Sequence, residues 1–229
     1  MILDQAISAQ RRLLTGFKAN PHVAEELFEE SMNPIHVAIS LDGEPTLYPS
    51  IVPLVQEINR RRMTSFLVTN GTMPNRLQEL VAREIEPTNL YLSLYGPDAQ
   101  TYENVTHPMV PDTWQRVLAS LRLMCHFRQS RTIVRLTLVK GENMHSPEGY
   151  SELAMKGAVD IIELKGYSWL GESRQRLPIK AMPYQSEIRE FAKEMSKRTG
   201  YEFIAEDTVS RVALLARDAS AMDLSLDAR

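Results

Sequence analysis

Cysteine is almost missing from this chain: Cys125 stands alone among 229 residues. No intrachain disulfide can form, and a reducing, cytoplasmic setting is expected. One thiol also cannot supply the several thiolates of an iron–sulfur cluster. Histidine offers no substitute. His22, His36, His107, His126 and His145 are scattered, without an HxxxH or other close ligand spacing, so no metal site is assigned. No apolar run approaches the ~20 residues of a membrane span, which argues against a membrane partner. The segment Met1–Leu14 lacks a long apolar core and a cleavage site, and reads as a helix rather than a signal peptide. Positive charge is not in excess either. Lys and Arg number 26 against 29 Asp and Glu, a net charge of −3, so any contact with RNA must come from a local patch. The first strand-like run is not followed by Gly-x-Gly-x-x-Gly, and there is no Walker motif, which weighs against dinucleotide and P-loop chemistry.

The chain does have ordinary globular composition, with 43% hydrophobic and 24% charged residues, and is long enough for a sizeable core. We read residues 1–229 as one domain, with a frayed tail from about Asp218. Apolar or β-branched runs at Ile35–Leu41, Ser65–Thr69, Leu90–Leu94, Thr132–Val139 and Val159–Leu164 predict strands. Helical spacing over residues 4–15, near Ser50–Arg62, Arg76–Arg83, behind Asp112 as an N-cap, and near Pro147–Met155 predicts helices between and before them. A last helix carries Ile188, Phe191, Ala192 and Met195 on one face; strand-like Tyr201–Ala205 and Arg211–Leu215 close the chain. Residues 16–34 look irregular, with a short helix around Val23–Glu30, and a proline-rich loop joins Gly96 to Asp112. Strands alternating with helices imply an α/β fold with a parallel sheet. Five βα units are too few to close an eight-stranded barrel.

In such folds ligands sit at the carboxyl ends of the strands. The first run breaks into Asp42-Gly43-Glu44-Pro45, and an uninterrupted apolar run of this kind suits a strand buried on both faces. Gly43-Glu44-Pro45 reads equally as a plain strand-to-helix turn and as a backbone cradle, with Glu44 or carbonyls accepting from an ammonium group. Asn70-Gly71 suits a turn with positive φ and also lies at a strand end. Ser93 ends its strand pointing inward, where a hydroxyl needs a partner. Arg135, Thr137 and Lys140 punctuate an apolar strand, and Arg135 there must be paired or face a polar lumen. Lys165–Leu177 mixes aromatics, glycines and cations. Tyr167 and Trp169 can stack on bases, and Arg174 and Arg176 can hold phosphates, on one face if the segment is extended. The alternative is a solvated loop. Arg60-Arg61-Arg62 reads as cations complementing a helix dipole, and Cys125 as a buried thiol.

Several segments together resemble one family. They are Ala9–Pro21, Val37–Pro49, Phe66–Thr72, Arg135–Gly141, Glu163–Tyr167 and Ser173–Leu177, in one order, within a likeness running from about Gln10 to Leu215. The chain is similar to the 4-demethylwyosine synthases, radical S-adenosylmethionine enzymes of wybutosine biosynthesis. Gly-Glu-Pro alone is unspecific, since many radical enzymes carry a version of it. The resemblance implies a partial (β/α)6 TIM-like barrel, here without its first strand and cluster loop. It implies S-adenosylmethionine at Gly43, Glu44 and Pro45, with Asn70, Ser93 and Thr137 nearby; Lys165, Tyr167, Trp169, Arg174 and Arg176, read from their own chemistry, are the expected RNA contacts. It further implies condensation of pyruvate with 1-methylguanosine beside the anticodon of phenylalanine tRNA, a 4Fe-4S cluster, a second cluster for pyruvate and an electron donor. The family's Cys-x-x-x-Cys-x-x-Cys loop lies upstream of the Ala9-Gln10-Arg11 segment and has no counterpart here. Where Gln185 stands, the family more often has histidine. The expectation is therefore the C-terminal portion of such an enzyme, inactive by itself, with no catalytic residue assigned. A non-catalytic tRNA-binding remnant and a radical enzyme with another substrate are the alternatives.

Overall fold

The computed structural model describes residues 2–218 and 221. Apart from Asp218 and Ala221, the tail expected to fray lies outside the described residues. Two helices open the chain, α1 (Ile2–Leu14) and α2 (Glu25–Met32). Then follow β1 (His36–Ile39), α3 (Ile51–Arg60), β2 (Thr64–Thr69), α4 (Pro74–Ala82), β3 (Asn89–Leu94), α5 (Ala99–Thr106) and α6 (Thr113–Leu123). The second half runs β4 (Arg131–Leu138), α7 (Pro147–Gly157), β5 (Ile161–Gly166), the single turn α8 (Ser173–Arg176), α9 (Gln185–Thr199), β6 (Glu202–Asp207) and β7 (Val212–Ala216). Among the described residues no helix is long and apolar enough to cross a membrane.

All seven strands form one sheet in the order β1-β2-β3-β4-β5-β7-β6. β1 to β5 are parallel, as the alternation of strands and helices predicts. β7 runs antiparallel to both β5 and β6, so the last two strands extend the sheet as a hairpin. Side chains alternate across the sheet. Leu90, Leu92 and Leu94 of β3, with Val134, Leu136 and Leu138 of β4, are buried with Ile51, Leu77, Leu121, Tyr150 and Ile188 from the helices. The other face carries a smaller apolar cluster of Ile133, Ile161 and Ala216, with Tyr91 against it. Gly71, at φ +75°, lets β2 turn over this core: a Cβ there would sit 2.5 Å from Leu92 Cδ1.

Four expectations change. β1 is not buried on both faces; it is a four-residue edge strand whose residues alternate between exposed and half-buried, and Leu41 beyond it is 92% exposed. The loop joining Gly96 to Asp112 contains α5: Asp98 caps it, Oδ1 accepting from Thr101 N–H at 2.8 Å, so the Gly96-Pro97-Asp98 signal starts a helix. Asp112 does occupy the N-cap position of α6, but at φ +58° and without a capping hydrogen bond. Cys125 is exposed rather than buried. At the end of α3, Arg60 and Arg61 bind Glu57 (2.7 Å each), and Arg61 also binds Asp4 of α1 at 2.8 Å. These cations therefore tie α1 to α3 as well as facing the helix dipole.

Candidate functional site

The carboxyl ends of β1 to β5 share one rim. At the β1 end, Gly43 takes φ +72°, with open space where a side chain would stand. Glu44 turns inward. Its Oε1 accepts from Thr46 N–H (3.0 Å), Thr46 Oγ1 (2.5 Å) and Thr69 Oγ1 (2.7 Å), and its Oε2 accepts from Asn70 N–H (2.6 Å). A carboxylate offers about four lone-pair sites. Three protein donors converge on Oε1 and one on Oε2, so Glu44 pins the β1 loop to the end of β2 and keeps acceptor capacity on Oε2. The turn is structural, and it also holds the open Gly43 backbone at the rim. Asn70 is fixed in turn, its Oδ1 accepting from Thr72 N–H (3.0 Å) and Oγ1 (2.7 Å). A groove of about 350 Å³ adjoins this knot, lined among others by Glu44, Asn70, Thr72, Tyr95, Met109 and Arg116.

Ser93 is buried near the end of β3, and its hydroxyl finds no hydrogen-bond partner among the described residues. Thr137 lies on the same sheet face, since Ser93 is level with Arg135, two residues before Thr137 on β4. Its carbonyl accepts from Asn143 Nδ2 at 3.0 Å. Asn143, fully buried, also donates to Tyr95 O (2.9 Å) and accepts from Val139 N–H (2.7 Å), tying the ends of β3 and β4 together. Lower on this face, Arg135 is paired as its place in an apolar strand requires: Nε donates to Glu163 Oε1 at 2.7 Å, and the guanidinium lies 4.6 Å from the Tyr91 ring centroid. Burial, then the Glu163 charge, push the Tyr91 phenol up to about 12.

The far side of the rim follows β5. Lys165 is half-buried, level with Thr137. Tyr167 is buried beside Val139 and Ala181, its hydroxyl donating to Ser173 Oγ at 2.8 Å, so it is not available for stacking in this arrangement. Trp169 is half-buried and donates from Nε1 to Leu177 O at 2.7 Å. Residues 173–176 form a helical turn instead of an extended strand. At about 100° per residue, Arg174 and Arg176 point to roughly opposite sides of it. Arg174 lies over the Trp169 ring, 4.9 Å from its centroid, and donates from Nε to Trp169 O at 3.2 Å; Arg176 is exposed. Lys165, Arg174, Arg176 and Lys180 form no ion pair with any described carboxylate, so this rim is locally basic on an acidic chain.

Sequence reasoning did not single out Thr46, Asn143 or Arg211, and reached Thr69 only as the first residue of the Thr69–Thr72 turn. Thr46 and Thr69 gave a weak signal, each flanking a residue already chosen. Asn143 is legible only as an asparagine in a loop after Gly141.

Comparison with known proteins is consistent along the chain. The family model described as the radical SAM superfamily matches residues 16–154, and that described as wyosine base formation matches residues 156–217. The chain is 50% identical over 218 residues to the S-adenosyl-L-methionine-dependent tRNA 4-demethylwyosine synthase of Pyrococcus horikoshii, covering 95% of this chain and 64% of that protein. It is 36% identical over 219 residues to the Homo sapiens synthase TYW1, covering 94% and 29%. A solved structure of TYW1 with a lysine-pyruvate adduct bound superposes with a TM-score of 0.81 at 32% identity, covering 93% of this chain and 67% of that one.

Proposed function

The chain belongs to the radical S-adenosylmethionine superfamily and, within it, to the tRNA 4-demethylwyosine synthase family, and from this we propose that it carries the cofactor-holding rim and the tRNA surface of such an enzyme. The reaction is the condensation of pyruvate with 1-methylguanosine in phenylalanine tRNA, in the cytoplasm, with electrons from a separate donor. The chain spans 64% of the Pyrococcus relative's length. One observation carries the reading. The Glu44–Thr69–Asn70 knot with its groove and the basic Lys165–Lys180 segment stand on one rim of one sheet, so a small cofactor and an RNA loop can be held side by side.

S-Adenosylmethionine fits the residues present. Gly43 leaves its backbone open and Asn70 lines the groove, while Ser93 and Thr137 present hydroxyls at the same rim on the sheet face opposite the helices. When bound, the cofactor supplies the hydrogen-abstracting group of this superfamily's chemistry. Glu44 orients the loop that would receive its amino end, and Asn143 holds the β3 and β4 ends in place. The iron–sulfur cluster does not fit. Cys125 is the only cysteine and is exposed behind α6, and among the described residues no three His, Cys, Asp or Glu side chains are grouped to hold a metal. No step is therefore derived through a cluster on this chain.

Two titrations test the reading. Calorimetry should detect S-adenosylmethionine binding that Asn70→Ala and Ser93→Val weaken several-fold while tRNA affinity stays level. Filter binding of tRNA across a salt series should show Arg174→Ala with Arg176→Ala flattening the salt dependence by about two counterions, with cofactor binding unchanged. Loss of neither ligand on either change would refute the assignment of the rim.

A further inference from the structure

Arg211 stands at the start of β7, on the rim side of the sheet, because β7 runs antiparallel to β5 and pairs Val212 with Lys165. Three features of its placement are unfavourable for an idle arginine. Its backbone sits at φ +52°, a region that L-residues with long side chains avoid. Its Nε is buried without a hydrogen-bond partner. And among the described residues its charge meets no carboxylate. The nearest acidic groups along the chain are occupied: Glu206 by Arg189 (2.6 Å) and Gln185 (3.0 Å), and Asp207 by Val209 N–H, Ser210 N–H and Ser210 Oγ within its own turn.

The surroundings nevertheless hold the side chain firmly. Gly166 N–H donates to Arg211 O at 2.8 Å. A Cβ on Gly166 would lie 3.2 Å from Arg211 Cβ and 3.3 Å from Pro183 Cγ, so a side chain there would push the arginine aside by a few tenths of an ångström. Nη2 donates to Ser168 Oγ at 3.2 Å. A guanidinium fixed in this way keeps donors in a planar fork that suits a phosphate better than a flexible ammonium does. The unpaired cations Lys165, Arg174, Arg176 and Lys180 lie on the same rim segment, so an anionic ligand here meets no opposing charge from them.

We propose that Arg211, steadied by Gly166 and Ser168, grips a phosphodiester of the bound RNA, which rests on the tRNA reading above. Free inorganic phosphate shares that chemistry and forms a separate arm of the test. Filter binding of a phenylalanine tRNA transcript to the full chain, across a salt series, compares wild type with Arg211→Ala, Arg211→Lys and Gly166→Ala. Arg62→Ala, an exposed cation at the far end of α3, controls for loss of any positive charge. Arg211→Ala should weaken binding about five- to tenfold and reduce the salt slope by about one counterion. Arg211→Lys should keep the slope but lose about threefold in affinity, and Gly166→Ala should shift in the same direction as Arg211→Ala. If Arg211→Ala does not fold, the lysine variant decides: affinity equal to wild type overturns the proposal. Wild type that binds tRNA with Arg211→Ala unchanged overturns it while leaving the tRNA reading intact. Wild type that binds no tRNA removes that reading and the proposal with it. Stabilisation of wild type by inorganic phosphate in a thermal-shift assay, lost in Arg211→Ala without any change in tRNA affinity, overturns the RNA assignment in favour of a free anion.

Discussion

Replacing Glu44 by glutamine separates a structural pin from a ligand contact. The carboxylate accepts four hydrogen bonds, from both polar groups of Thr46, from Thr69 Oγ1 and from Asn70 N–H. Glutamine keeps one oxygen. If it takes the place of Oε1, three donors remain satisfied and the new amide NH₂ faces Asn70 N–H, donor against donor. A hydrogen bond to a charged acceptor is worth roughly 1.5–3 kcal/mol, and a stranded donor costs a similar amount, reduced here because Glu44 is half-exposed and water can reach Asn70. The net cost is about 1–3 kcal/mol, which for a domain of this size lowers Tm by roughly 3–9 °C. Glu44→Ala removes the acceptor from all four donors, three of them on the buried Thr46 and Thr69, and should cost more. Differential scanning calorimetry of the two variants, with S-adenosylmethionine titrated into each, tests this. A glutamine variant melting with wild type but binding the cofactor weakly would show that Glu44 acts on the ligand and that the four bonds are incidental.

Further outcomes follow from other parts of the structure. Arg135→Met leaves Glu163 buried without its partner and should cost ~2–4 kcal/mol, whereas Arg135→Met with Glu163→Leu should recover more than half of that in denaturant unfolding; strictly additive single costs would refute the coupling. Hydrogen bonds from Arg60, then Arg61, hold the Glu57 carboxyl down at about 2, against an ordinary 4.5. The pairs that Glu57 makes with Arg60 and Arg61 at the end of α3 should therefore be at full strength above about pH 4.5 and be lost as pH falls through about 2. A carboxyl NMR titration of Glu57 with its midpoint near 4.5 would refute this. Asn143→Leu should destabilise by ~2–4 kcal/mol, because it strands Val139 N–H and two carbonyls in a dry site; a change below about 0.5 kcal/mol in urea unfolding would show that water replaces the amide.

Much of the fold is legible in the chain because apolar strand runs and helical spacing are local signals. β2 to β5 each begin and end within a few residues of their runs, and the helices between them, α5 excepted, follow from caps and periodicity. What escapes is non-local. Ile35–Leu41 reads as a doubly buried strand because composition cannot show that it ends up at the edge of the sheet. The antiparallel return of β7 leaves no mark in the runs that form it. The rim shows the same division. Gly43 and Asn70 announce themselves through backbone chemistry, but nothing within Glu44's own neighbourhood shows that Thr69 and Asn70, some twenty-five positions on, supply its donors. That follows from the β1–β2 register alone. Arg174 and Arg176 are visible as charges, yet their opposite directions depend on a turn of helix that four residues scarcely specify.

The reversed direction of β7 also decides how its side chains are mounted. Loops leaving β1 to β5 can lengthen, shorten or breathe, and whatever they carry moves with them. Arg211 reaches the same rim from the opposite sense, on the residue entering a strand that is bonded on both sides, to β5 and to β6. Its position is therefore inherited from the sheet. Along a rim otherwise assembled from adjustable connections, it acts as a fixed gauge mark, and remodelling of the neighbouring loops would leave its distance from the end of β5 unaltered.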